Sequence, residues 1–203
     1  MNRSMILASG SPRRQELIKM ICSAYDVITA DIDESAIPGE KPTELVYRLA
    51  YLKAKKVFEE TADKANRIVI GADTIVALGD KILGKPVDRA DASRMLHALS
   101  GSHHEVTTGV AILWDEDGEM KERRFTETTQ IFFREITDEE IERYIASGET
   151  DDKAGAYAIQ MQGGLFVTGI SGDYSNVVGF PITKIYLTMR EAGLLDAFPV
   201  REL

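Results

Sequence analysis

Several short stretches of this chain carry side chains able to do chemistry on an anion. The first is A-S-G-S-P-R-R, Ala8 to Arg14, which follows the apolar run Met5-Ile6-Leu7. Pro12 sits where a helix would begin, a position at which its missing N–H costs nothing. Arg13 and Arg14 then fall in the first helical turn, where the helix dipole favours anions rather than cations. A phosphate above that turn reconciles the two features. The Ser9 and Ser11 hydroxyls, free backbone N–H groups and both guanidiniums would converge on it. An ordinary strand–turn–helix with solvent-facing arginines fits the same spacing.

Asp73 stands inside I-V-I-G-A-D-T-I-V-A-L, with apolar residues on both sides. Buried, ionised and unpaired it would be costly, so a cation, a metal ion or water must meet it. A strand-end carboxylate after a break at Gly71 is the plainer alternative. Lys53 follows Leu45 and Leu49 at steps of four and precedes Val57, which puts it on their inward helical stripe. It either snorkels to the edge of the core or offers an ammonium to a phosphate. Lys85, in L-G-K-P, ends the strand expected to fold back on the Asp73 strand, as a phosphate contact or a solvated lysine. Glu34 in D-I-D-E and Asp152-Lys153 in D-K-A-G-A-Y lie in carboxylate-bearing loops. Such loops hold Mg²⁺ or Mn²⁺ against substrate phosphates, or are simply solvated. His97, His103 and His104 lack the spacing of a helical zinc pair and are assigned to structure or surface. No Ser–His–Asp or Cys–His arrangement can be argued from spacing.

These groups need elements to hold them. Hydrophobic patterning predicts a strand at Met5–Leu7 leading into the first helix, and a second strand from Tyr25 to Asp33. An amphipathic helix follows from Thr43 to Glu59, with Leu45, Leu49, Leu52, Val57 and Phe58 on its buried face. A strand from Ile68 to Leu78 turns at Gly79-Asp80 and continues from Ile82 to Lys85. A helix from Ala90 to Leu99 stops at Ser100-Gly101, and a hairpin pairs Glu105–Trp114 with Met120–Phe133. Thr137 and Glu140 form a capping box for a helix from Asp138 to Ala146. Short strands at Tyr157–Ile159 and Leu165–Ile170 and a closing helix from Pro181 to Leu194 complete the chain. This alternation points to an α/β fold with a mixed sheet.

The 203 residues suffice for one well-buried core and a smaller lobe, and 44% hydrophobic with 28% charged content is ordinary for a globular protein. With 24 basic against 33 acidic residues the net charge is −9. Such a surface does not attract nucleic acid or anionic lipid as a whole, so a polyanion site must be a local pocket of Lys and Arg. Cys22 stands alone, which excludes an intrachain disulfide and a cysteine-rich zinc site. It is placed on the apolar side of the first helix as packing. No leader pattern and no apolar run of membrane length are present, so a soluble, cytoplasmic protein is expected.

Taken together and in order, L-A-S-G-S-P-R-R, G-A-D-T-I-V, L-G-K-P and D-K-A-G-A-Y-A-I-Q resemble the Maf (septum formation protein-like) nucleotide pyrophosphatases. The resemblance runs from Met5 to the final helix. It implies a mixed α/β fold related to the inosine triphosphate pyrophosphatases, with two lobes around a central cleft. It also implies one such domain over 1–203 and a homodimer. The implied activity cleaves a nucleoside triphosphate between its α and β phosphates, with Mg²⁺ or Mn²⁺ as cofactor. By motif, Asp73 would be the general base. Ser9, Arg13, Arg14, Glu34, Lys53 and Lys85 would line the phosphate site, and Glu34 and Asp73 would meet the metal ion. Thr74 and Gln160 stand where the branch acting on dTTP and UTP carries threonine and glutamine. The branch acting on 7-methyl-GTP differs at Gln160. Ala158 and Met161-Gln162 depart from the family pattern, which often has glycine beside that glutamine.

The residues support this chemistry on their own terms. Cutting a phosphoanhydride needs a positioned water, neutralisation of the leaving pyrophosphate and a metal ion. Asp73 could accept the proton of that water or bind the metal, and both roles stay open. Gln160 carries a donor and an acceptor, as the edge of uracil or thymine requires. A nucleotidyltransferase would share the Gly/Ser-rich loop, although no clear G-G-x-G is present. A nucleotide-binding regulator of cell division without turnover is the reading from another class.

Overall fold

Three long strands set the frame: β3 (Arg67–Leu78), β5 (His103–Glu116) and β6 (Glu119–Phe133). The computed structural model describes residues 4–62 and 66–195. Around these strands a seven-stranded sheet runs in the order β2 (Tyr25–Val27), β1 (Ser4–Leu7), β3, β5, β6, β7 (Val167–Ser171), with β4 (Lys81–Leu83) also on β3. Strand β1 is parallel to β2 and β3, and the other pairings are antiparallel. The sheet is therefore mixed and the fold α/β, as the sequence pattern predicts.

One edge of β3 is shared by two partners. Strand β1 covers Arg67 to Ile70 and β4 covers Val76 to Leu78, while β5 runs along the opposite edge. Between them, residues 71–75 have no strand on that side among the described residues. Asp73 and Thr74 sit in the gap. Ligands of open α/β sheets bind where strands part in this way, beyond the carboxyl ends of parallel strands.

Helix α2 (Pro42–Glu60) lies across one face and buries Leu45, Val46, Leu49, Ala50, Ala54, Val57 and Phe58. Two glycines seat it. A Cβ on Gly71 would stand 2.4 Å from the Ala50 carbonyl oxygen, and one on Gly109 would stand 2.1 Å from that of Val46. Any side chain at either position would lift the helix off the sheet. On the opposite face α1 (Pro12–Ile18) and α6 (Ile182–Glu191) cover an apolar cluster that includes Leu7, Ile68, Ile70, Ala72, Val110 and Ile112. A second cluster joins α3 (Arg89–Leu99) and α4 (Asp138–Ala146) to Val76, Val106, Ile131 and Phe133. Strands β3 and β5 feed both clusters, and the change from one to the other falls beside Asp73. This is the two-lobed arrangement that the family resemblance implies.

Helix α4 has the expected bounds, and its capping box is present: Glu140 N–H donates to Thr137 Oγ1 at 3.3 Å, and Thr137 N–H to Glu140 Oε2 at 3.0 Å. Elsewhere the chain departs from the sequence reading. Strand β2 stops at Val27 because its partner β1 ends at Leu7, so residues 28–33 leave the sheet. Tyr157–Ile159 is not a strand. Gly155 (φ 70°) and Ala156 (φ 59°) turn the backbone left-handed just before it. Residues 162–166 form a 3₁₀ turn that delays β7 to Val167. The closing helix spans only Ile182–Glu191, and a five-residue helix α5 (Tyr174–Val178) precedes it. Cys22 lies beyond the end of α1 rather than on it, half-buried, with its thiol donating to the Ala24 carbonyl at 2.9 Å. Among the described residues no helix is long and apolar enough to cross a membrane.

Candidate active site

Lys53 joins the two carboxylates that the sequence singles out. Its ammonium donates to Asp73 Oδ1 at 2.6 Å and pairs with Glu34 Oε1 at 2.8 Å. The Lys53 and Asp73 side chains are each 12% exposed, and that of Glu34 is 59% exposed. Asp73 shares a sheet face with Gly71, two residues back, and stands opposite Gly109 in the β3–β5 ladder. The glycines that seat α2 are thus the ones that bring Lys53 within reach. The ion pair with Lys53 offsets part of the cost of burying the Asp73 carboxylate. Among the described residues Asp73 Oδ2 has no hydrogen-bond partner, so one oxygen is oriented by lysine and the other remains available.

Glu34 comes from the loop between β2 and α2, and Arg48 anchors that loop. Arg48 grips Glu40 with two hydrogen bonds of 2.6 and 2.7 Å and donates to the Ser35 carbonyl at 3.0 Å. The bidentate hydrogen bond from Arg48 pulls the Glu40 pKa down to about 2. Neither Arg48 nor Glu40 stands out in the sequence, where both resemble ordinary surface charges.

The two arginines of S-P-R-R part company. Arg14 points inward and makes four hydrogen bonds: to Gly179 O at 2.8 Å, Ala72 O at 2.8 Å, Ser9 Oγ at 3.0 Å and Thr74 Oγ1 at 3.0 Å. Burial lowers its pKa from the usual guanidinium value, and the charge of Asp73 opposes the shift. Arg14 therefore satisfies the carbonyl left bare in the gap of β3 and ties β3 to the segment after α5. Ser9 is correspondingly turned away from the cleft, its hydroxyl accepting from Arg14 and from the Ser11 N–H at 3.3 Å. The Thr74 hydroxyl is likewise engaged, by Arg14 and by Thr108 Oγ1 at 2.9 Å. Convergence of Ser9, Arg13 and Arg14 on one anion is thus not what the geometry shows. Arg13 alone of these is free of hydrogen bonds and ion pairs among the described residues, and it lines the cleft.

That cleft has a volume of about 640 Å³, within the range of small-ligand sites. Arg13, Arg14, Glu34, Lys53, Asp73, Thr74, Lys85 and Gln160 all border it, and Ser9 does not. Asp152 and Lys153 border it as well and pair with each other. The hydrogen bond from Lys153 lowers the Asp152 pKa, and the charges of Lys153 and Arg13 add to it. Five cations against three carboxylates face the space, in a chain whose net charge is −9. Apolar side chains line it too, those of Val76, Val106, Tyr157, Ile159 and Val177, together with the amide of Gln160. Cations, apolar side chains and one amide lining a single cleft suit a phosphate chain attached to a flat heterocycle. Lys153 enters the sequence reading only as part of a carboxylate-bearing loop, and the α5–Gly179 segment does not enter it as a site element. The D-K-A-G-A-Y motif held the signal for the first, and the D-x-S cap before α5 held that for the second, where Asp173 accepts from the Ser175 N–H at 2.7 Å.

Among the described residues no group of three or more His, Cys, Asp and Glu side chains could hold a metal ion unaided. Asp73 and Glu34 nevertheless offer two carboxylates at one point on the cleft wall. Mg²⁺ is commonly held by one or two carboxylates together with waters and substrate phosphates. The donor set fits an ion shared with a substrate rather than a closed protein cage.

The chain is similar to known proteins over nearly its whole described length. A family model described as "Maf-like protein" matches residues 4–192. A dTTP/UTP pyrophosphatase of Hahella chejuensis is 45% identical over 192 residues, covering 95% of this chain and 94% of that one. A dTTP/UTP pyrophosphatase of Koribacter versatilis is 49% identical over 191 residues, covering 94% and 95%. Among solved structures, a nucleoside-triphosphatase (dITP/XTP pyrophosphatase) of Mycobacterium abscessus is a distant likeness. It is 13% identical with a TM-score of 0.45, covering 96% of this chain and 100% of that one.

Proposed function

The chain belongs to the Maf-like protein family, and from that membership we propose that it is a pyrophosphatase hydrolysing dTTP and UTP to the monophosphate and pyrophosphate. The observation that carries the reading is the Lys53–Asp73–Glu34 constellation on the wall of a cleft lined by both cations and apolar side chains. We extend it to one catalytic domain over 1–203, working as a cytoplasmic homodimer. The family resemblance supports the domain and the dimer, and the lone Cys22 suits a reducing compartment.

Each step falls to a residue of this chain. Arg13, Lys85 and Lys153 face the cleft as cations and would receive the triphosphate. Asp73 Oδ2 is the free oxygen of a carboxylate already oriented by Lys53, and it would take the proton of the attacking water. Lys53 would steady the charge that develops on the leaving pyrophosphate. Asp73 and Glu34 would hold a divalent cation, which would supply charge neutralisation at the phosphates. Gln160 would pair with the base edge of uracil or thymine, while the apolar wall takes its ring. Arg14, Ser9 and Thr74 serve by holding the gap of β3 in shape.

Product analysis with Mg²⁺ and a panel of dTTP, UTP, CTP, GTP and 7-methyl-GTP tests this reading. Pyrophosphate with dTMP or UMP is the expected result. Preference for 7-methyl-GTP would overturn the role of Gln160, and binding without turnover would overturn the enzyme.

A further inference from the structure

His104 is 1% exposed and does not border the cleft. Its Nε2 lies 2.8 Å from the Tyr157 hydroxyl, while its Nδ1 is buried without a hydrogen-bond partner. Edge-on contacts pack the ring against Phe133 at 4.9 Å and Tyr157 at 5.4 Å. An apolar side chain would fill this space without an orphaned nitrogen, so the imidazole costs stability where it stands. What it supplies is direction. A hydrogen bond fixes the phenol of Tyr157, and Tyr157 begins the wall that runs through Ala158 and Ile159 to Gln160.

That wall needs fixing. It follows the left-handed residues Gly155 and Ala156 and belongs to no strand or helix. Its other anchor is again a tyrosine hydroxyl, that of Tyr144, which accepts from the Ala158 N–H at 3.1 Å. Tyr144 also leaves no room for a side chain at Gly163, where a Cβ would stand 2.7 Å from its oxygen.

We propose that His104 is a positioning residue for base selection: through Tyr157 it sets the place of the Ala158–Gln160 wall. The proposal rests on the pyrophosphatase reading above. Burial, with His103 adding a smaller effect, lowers the His104 pKa to about 4, so at neutral pH the bond joins two uncharged partners.

The test compares Tyr157→Phe, His104→Leu, their combination and His104→Gln on dTTP and CTP, with melting curves for each. Loss of one hydrogen bond should lower the ratio of kcat/KM for dTTP over CTP about three- to tenfold. The loss should appear mainly in KM. The double variant should be no worse than either single one, because both remove the same bond. His104→Gln, which returns a polar amide near the Nε2 position, should recover the ratio. A merely structural histidine would slow both substrates equally, and that result would overturn the proposal. So would an unchanged ratio in a folded Tyr157→Phe protein, which stands as the deciding variant if His104→Leu does not fold. Absence of pyrophosphate release by the unmutated protein would instead defeat the functional reading itself.

Discussion

Gly109 stands directly across the β3–β5 ladder from Asp73, and it is one of the two places where α2 rests backbone against backbone on the sheet. The catalytic candidate and the seat of the helix carrying Lys53 are thus neighbours. Gly109→Ala would force a Cβ to within 2.1 Å of the Val46 carbonyl oxygen, and α2 must shift. Overpacking of this kind costs about 1–3 kcal/mol. We expect a lower urea midpoint and, because Lys53 is displaced with its helix, a loss of turnover larger than the loss of folded protein. Normal activity per folded molecule would separate the seat from the site.

Asp73→Asn keeps the shape of the side chain while removing its basicity. Turnover should fall about 10²- to 10⁴-fold with the fold retained, the range for loss of a general base. Single-turnover kinetics beside circular dichroism check it. Full activity in a folded Asp73→Asn protein would refute the assignment.

Lys53→Met leaves two carboxylates facing each other without their shared ammonium. Removing one partner of a buried pair costs about 3 kcal/mol. A divalent cation should replace part of what is lost. The urea midpoint of the variant is therefore expected to rise with Mg²⁺ more steeply than that of the parent. Equal responses would remove Asp73 and Glu34 from metal binding, and this measurement needs no substrate.

Gln160→Glu replaces a donor and an acceptor with acceptors alone. The O4 carbonyl of uracil or thymine loses its donor, while the N3–H of either base keeps an acceptor. The kcat/KM for dTTP and UTP should fall about tenfold relative to that for GTP, while cleavage at the same phosphoanhydride persists. An unchanged substrate profile would take Gln160 out of base reading.

His104 also leaves a mark on stability. Its folded pKa of about 4 lies below the ordinary value of 6.5, so the unfolded chain binds the proton more readily. The proton-linked part of the stability is complete above pH 6.5 and declines as the pH falls towards 4, by about 3 kcal/mol over that window. Denaturation of the parent and of His104→Leu at pH 7 and pH 5 checks the sign. The parent should lose stability faster than the variant between the two.

Most of the frame could be read from the sequence because long periodic segments announce themselves. β3, β5, β6, α2 and α4 emerge within a few residues of their expected bounds. Lys53 and Asp73 were likewise exposed by pattern alone, since each is a charge where the period requires an apolar residue. The misreadings arise where partners rather than periodicity decide. Arg14 looks no different from Arg13 until folding brings four acceptors to one of them, two in the gap of β3 and two from Ser9 and Gly179. Tyr157–Ile159 has strand composition, yet two left-handed residues turn it into a wall. Helix α5 is too short to show a period, and Arg48 acts on a loop that only folding brings near it.

The interrupted edge of β3 has one more effect, on the company the protein keeps. Unpaired strand is what a foreign chain needs in order to add itself to a sheet, and natural proteins protect such edges. Here the bare stretch is five residues, recessed between β1 and β4 and plugged by a guanidinium. It is too short and too guarded to template a neighbour. The chain can keep a carboxylate open to small molecules in the middle of its sheet without offering a seam along which copies of itself could aggregate.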